Sequence, residues 1–192
     1  RLKLSYAVKD AESFADVIAN NNSAYKNIHI LRLINEDATK ENIKQKLSEI
    51  HKKARKRDSF IFFFAGHGFT FFNEDSTKAD FNFFLYDEDR EYDLKKTHYR
   101  LSTGETGEMI AKIKANKQLL IIDACQSAEV IDNIYWQIKL KSLQSKNVAR
   151  ISNVYGVNIF TSALSSKPAY ENYKLEHGLF TYVMLEGLTG RA

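Results

Sequence analysis

"SFIFFFAGHG", residues 59–68, runs an apolar stretch straight into a histidine held between two glycines. A second stretch, "QLLIIDACQSAE", residues 118–129, is built the same way and stops at Cys125, the one cysteine of the chain. Both runs are continuously apolar rather than alternating, as parallel strands covered on both faces are. In open α/β sheets the functional groups gather at the carboxyl ends of such strands, and His67 and Cys125 both fall there. Fold and function therefore turn on one question, whether these two strand ends lie side by side.

The remaining segments alternate between strand and helix patterns. "DAESFADVIAN" puts Ala11, Phe14, Ala15 and Ile18 on one helical face, with Asp10 as the expected N-cap. "IHILRLI" (28–34) reads as a strand. "TKENIKQKLSEIHKKA" opens on Thr39 as N-cap and carries the stripe Ile43, Leu47, Ile50 and Ala54. "FTFF" and "FNFFLY" read as a hairpin around the polar "NEDSTKAD". "GETGEMIAKIKA" reads as a helix, "VYGVNIFTSA" as a strand, and "HGLFTYVMLEGL" as a last amphipathic helix with Gly190 as its terminator. The expected fold class is α/β: a mostly parallel central sheet, helices on both faces, and a small β-hairpin after the His-containing strand. Residues 131–153 break the pattern. They read as a helix, "NIYWQIKLKSL", and a basic loop connecting two parts of one domain.

Composition narrows the function classes. A chain of 192 residues fits one domain with a substantial core. A formal charge of +4, from 28 basic and 24 acidic residues, is too mild to argue for nucleic acid. The densest basic run, "HKKARKR" (51–57), reads as a nucleic-acid patch or as the solvated end of a helix, where cations suit the dipole. No apolar run approaches the roughly 20 residues of a membrane span. A lone cysteine excludes an internal disulfide framework and suits a reducing, cytoplasmic setting or a catalytic role. One cysteine and scattered histidines make no zinc cluster at the usual spacing, and no phosphate-binding glycine pattern is present.

Two isolated reactive residues can be inert. A cysteine after an apolar strand is often a small buried hydrophobe, and a histidine at a strand end is often structural. The pair, each at the end of a buried strand, points to nucleophilic catalysis. A thiol attacks a carbonyl as its thiolate and needs a base, and a histidine takes that proton and later gives one to the leaving amine. The oxyanion needs backbone N–H donors, which the amides of Gly68 and Cys125 would offer. His177-Gly178 is a competing His-Gly pair. It precedes a helix and suits its N-terminus.

With those residues in view, the chain resembles the caspase-like cysteine peptidases of the C14 type, in the metacaspase and bacterial orthocaspase branch. "FFFAGHG" is followed by "IIDACQS", with 58 positions (125 − 67) between His67 and Cys125. The caspase signature also has its histidine about 50 residues upstream. "LSYAVKDAESFADVI", "LINEDATKENI" and "AYENYKLEHGLFTYVMLEGLTG" resemble further parts of that family, so the resemblance covers nearly the whole chain. A strand that precedes "LKLSYAVKD" in the family is missing, which reads as a fragment of a larger protein. The resemblance implies a single caspase-like peptidase domain over 1–192: a large-subunit-like part to about 130, a linker over 131–153, and a small-subunit-like part over 154–192.

The resemblance further implies His67 as base, Cys125 as nucleophile, Gly68 and Cys125 as oxyanion hole, and Asp10 and Asp123 as acids of the specificity pocket. Two carboxylates attract a guanidinium and repel an aspartate, so cleavage after Arg or Lys is expected. Ser162 is expected to border the substrate by strand addition. Two departures bear on preference: Ala65 stands where many metacaspases have serine, and Gln126 where His or Arg is common. No cofactor is implied, although some metacaspases use calcium. The oxygen-rich cluster Asp87, Glu88, Asp89 and Asp93 matches no defined calcium loop and reads as a solvated turn rather than a calcium site. Protein or peptide substrates are implied, with no nucleic acid and no membrane, and with regulatory domains outside the fragment. The rival reading is a catalytically silent scaffold that binds peptides. A receiver-like signalling domain would leave the His-Gly and Cys strand ends unexplained.

Overall fold

A computed structural model of the chain describes residues 4–20, 25–72, 79–86, 99–124, 157–162 and 170–191. Three strands form the central sheet: β1 (Ser59–Ala65), β5 (Lys117–Asp123) and β6 (Val157–Thr161). They run parallel in the order β1-β5-β6. Among the described strands β5 is the only one of the three with a partner on each side. Its Leu120, Ile121 and Ile122 are fully buried. β1 pairs only with β5 among the described strands, and of its apolar run only Phe60 is buried, the rest being half-buried.

Helices cover both faces, as the alternating pattern requires. α1 (Ala7–Asn20) and α4 (Leu179–Leu188) lie on one face. There Phe14 and Leu185 pack with Ile121, and the Phe14 and Phe63 rings stack at 4.6 Å. On the other face α2 (Lys40–Lys53) and α3 (Thr103–Ile110) bring Ile43, Leu47 and Ile110 against Phe60, Leu120 and Ile122. Local signals set the helix ends. The Thr39 side chain accepts the Asn42 amide at the start of α2. Ser102 and Glu105 form a reciprocal capping box at α3. α4 ends in a Schellman motif: Gly190 takes φ 72°, its N–H bonds Gly187 O, and Arg191 N–H bonds Glu186 O. No helix among the described residues is long and apolar enough to cross a membrane.

The hairpin after the His-containing strand is present and larger than expected. β2 (Gly68–Phe72) pairs antiparallel with β3 (Ala79–Phe84), and β3 pairs with β4 (Arg100–Ser102). Its apolar face completes the core: Phe81 and Phe83 are fully buried, with the Phe83 ring at 4.8 Å from Phe64 and 5.3 Å from Phe81. β4 is three residues long, too short to stand out as a run.

Three sequence expectations need correction. Residues 28–34 form no strand. A strand needs a ladder partner, and none of the described strands pairs with this run. Asp10 is not the N-cap of α1; the helix begins at Ala7, and Asp10 lies in its first turn with its N–H on Tyr6 O. The free amides of Ser5 and Tyr6 are met instead by the Glu171 carboxylate, more than 160 residues away in the chain. The last helix starts at Leu179 rather than His177. His177-Gly178 forms a two-residue strand, β8, paired with β7 (Glu171–Asn172).

Candidate active site

The parallel pairing of β1 and β5 fixes how the two sequence motifs leave the sheet. Ala65 is paired with Asp123, and Gly66 N–H bonds Asp123 O at 3.1 Å. His67 stands two residues beyond Ala65, and Cys125 two residues beyond Asp123. Cys125 itself lies outside the described residues, as do Gln126, the linker, and the oxygen-rich cluster Asp87, Glu88, Asp89 and Asp93. His67 is half-buried where the chain passes from β1 into β2, and its carbonyl accepts the Phe84 N–H at 2.9 Å. Gly68, which opens β2, sits tightly over the hairpin core. A Cβ there would come within 2.0 Å of Phe81 Cζ.

Beside this strand end the structure assembles a buried acidic pair. Asp10, from α1, is 3% exposed and Asp123, the last residue of β5, 7%. Both carboxylates face Gly178: a Cβ built there would lie 2.7 Å from Asp123 Oδ2 and 3.0 Å from Asp10 Oδ2. Glycine is required by that approach. The start of α4 supplies the donors. Gly178 N–H donates to Asp10, and Thr181 donates to Asp123 Oδ2 through its N–H at 3.3 Å and its hydroxyl at 2.7 Å. Carboxylates at a helix N-terminus satisfy its open amides and suit its dipole. His177 Nδ1 adds a bond of 2.6 Å to Asp10 Oδ1.

Burial pushes the Asp10 carboxyl above its ordinary value of 3.8, against the bonds from His177 and Gly178, and the Asp123 charge pushes it further up. The raised value has a consequence for stability. As pH rises above 3.8, the unfolded chain ionises first and the folded state lags, so Asp10 lowers stability across that window. Asp10→Asn removes this term. The stability difference between Asp10→Asn and wild type is expected to shift in favour of the variant as pH climbs from 3.8 to the raised value, then level off. Urea midpoints of both proteins between acid and neutral pH check this; a difference that stays flat would refute it.

Ser162 follows β6, with its N–H on Ile122 O at 3.0 Å and its hydroxyl on Ala124 O at 3.4 Å. Both donors hold the exit of β5, at Ile122 and Ala124. The basic run 51–57 closes α2, where His51 Nδ1 lies 2.6 Å from Lys112 O. Sequence reasoning missed Thr181 and Glu171. Neither carries a local signal, because both act on residues far away in the chain. The "HGLFT" stretch was legible as a helix start, but its acidic partners were not.

A family model described as "Metacaspase, peptidase C14 domain" matches residues 1–134, a span that includes Asp10, His67, Asp123 and Cys125. No curated protein matches the chain. Among solved structures, the crystal structure of protein GSU0716 from Geobacter sulfurreducens aligns with a TM-score of 0.68 at 17% identity. The alignment covers 98% of this chain and 74% of that one. A likeness at that identity shows a shared fold.

Proposed function

The chain belongs to the metacaspase, peptidase C14 family of cysteine peptidases, and from that premise we propose that it is an endopeptidase cutting after Arg or Lys with a Cys125–His67 dyad. One observation supports the reading: β1 and β5 are adjacent and parallel, with Ala65 paired to Asp123, so His67 and Cys125 each follow a paired strand end by two residues in the chain.

In this reading His67 takes the thiol proton of Cys125, and the thiolate adds to the carbonyl carbon after a basic residue. The amides of Gly68 and Cys125 donate to the oxyanion as the C–S bond forms. The C–N bond then breaks, and His67 returns its proton to the departing amine. Water, deprotonated by the same imidazole, splits the thioester and frees the enzyme. Asp10 and Asp123 hold the guanidinium or ammonium of the residue before the cut. Their support is geometric, since two buried carboxylates face one glycine at the end of the β5 strand. The peptide runs past Ser162 at the end of β6. The dyad needs no cofactor. The domain acts on protein or peptide substrates in the cytoplasm, under the control of parts of the protein outside this chain.

The test is a panel of fluorogenic peptides ending in Arg, Lys or Asp, run with and without calcium, on wild type and Cys125→Ala. The expected result is turnover of the Arg and Lys peptides by wild type alone. Turnover of the Asp peptide alone would overturn the pocket, and activity surviving in Cys125→Ala would overturn the nucleophile. Peptide binding without any turnover would favour the silent scaffold. Dependence on added calcium would add a cation that the dyad itself does not require.

A further inference from the structure

The geometry points to a role for His177, which the catalytic motifs leave unused. We propose that His177 is a specificity-determining positioning residue: it fixes the rotation of the Asp10 carboxylate beside Asp123, the pair proposed to read a substrate's cationic side chain. This rests on the reading of Asp10 and Asp123 as the pocket acids.

The imidazole lies 2.6 Å from Asp10 Oδ1, with its side chain 12% exposed. Asp10 Oδ2 lies on the other side, toward Gly178 and Asp123. A carboxylate is free to turn about its last bond unless both oxygens are engaged. Here the imidazole engages Oδ1, and the Gly178 amide bridges both oxygens at 3.3 and 3.1 Å. Asp123 is held in a parallel way by the Thr181 hydroxyl and amide. Each acid thus has one side-chain donor and one amide from the start of α4.

His177 is itself fixed by the β7–β8 ribbon. Asn172 pairs with His177 and Glu171 with Gly178. The Glu171 carboxylate grips the Ser5 and Tyr6 amides ahead of α1, and Glu176 forms an ion pair with Lys9 on α1. Glu176 takes φ 52°, a left-handed conformation uncommon for a side chain of its type. Strained residues persist where surrounding contacts over-determine them, and here the result is an imidazole carried to the helix turn that bears Asp10. A donor that orients a binding carboxylate governs substrate affinity rather than the chemical step.

The experiment measures kcat and KM of the whole chain on peptides ending in Arg, Lys and the uncharged norleucine. His177→Ala is compared with His177→Asn, whose amide nitrogen can stand where Nδ1 does. His177→Ala is expected to raise KM for the Arg and Lys peptides by about ten- to a hundredfold, the worth of a lost hydrogen bond to a charged group. The loss falls on KM far more than on kcat, and on the basic peptides far more than on norleucine. His177→Asn recovers most of it. Equal losses on basic and norleucine peptides, or no recovery by Asn, would overturn the proposal. A collapse of kcat at unchanged KM would overturn it too, and would make His177 the base. Wild type preferring Arg, with His177→Ala unchanged, sinks this inference alone. Wild type without a basic preference sinks the pocket reading together with it.

Discussion

His67→Ala is expected to cut turnover of an Arg-terminated peptide by about 10²–10⁴-fold, the range a positioned general base supplies. The loss should fall on kcat, because the imidazole acts on the thiol and the leaving amine and does not hold the substrate's basic side chain. Folding should survive, since His67 is half-buried at a strand end and the bond from Phe84 N–H uses its backbone carbonyl, which alanine keeps. The thermal midpoint and the far-ultraviolet dichroism of the variant establish that control. His177→Ala makes the contrast: its expected defect is in KM. A His67→Ala protein that retains kcat would remove this residue as the base and transfer the role to another group.

Gly68→Ala is expected to destabilise the domain by about 1–3 kcal/mol or more, the cost of forcing atoms into a filled core. The added Cβ would meet Phe81 Cζ at 2.0 Å and Cε2 at 2.6 Å. A flexible surface side chain would swing away, but Phe81 is fully buried and its ring packs edge-on against Phe83. The strain is relieved only by moving the ring or β2, and β2 leads directly from His67. Activity should therefore fall with stability. Gly187→Ala is the control within the same fold. Nothing outside the helix's own backbone lies within 4 Å of a Cβ built there, in the last turn of α4, so the variant is expected to be neutral or to gain up to about 0.5–1 kcal/mol. Urea unfolding of the two variants measures the contrast; an unchanged midpoint for Gly68→Ala would contradict the packing described.

The parts of the fold written in local chemistry were legible in the sequence. Thr39 announces α2, and the Gly190 terminator closes α4. The continuous apolar runs of β1 and β5 identify two neighbouring parallel strands of the central sheet. What was hidden depends on distant partners. Residues 28–34 have strand composition, but a strand exists only where another strand accepts its hydrogen bonds. Asp10 looks like a cap for its own helix, but it meets the start of α4 because Glu171 already serves the amides before α1. The site shows the same division. The His-Gly and Ala-Cys motifs, and both acids, can be named from the sequence and the family they resemble. The donors that orient those acids, His177 and Thr181, emerge only when α4 folds against α1 and β5.

In the proposed function the lone thiol and a pair of acids make this domain a peptidase for basic residues. The most direct measurement is kcat/KM for matched Arg and Asp peptides, on wild type with Cys125→Ala as the blank. The account predicts that Arg exceeds Asp by at least about 10²-fold, the scale of a charge reversal in a desolvated pocket, and that the blank is silent. An Asp peptide cut as fast as the Arg peptide, or a signal that persists without the sulfur, would contradict it.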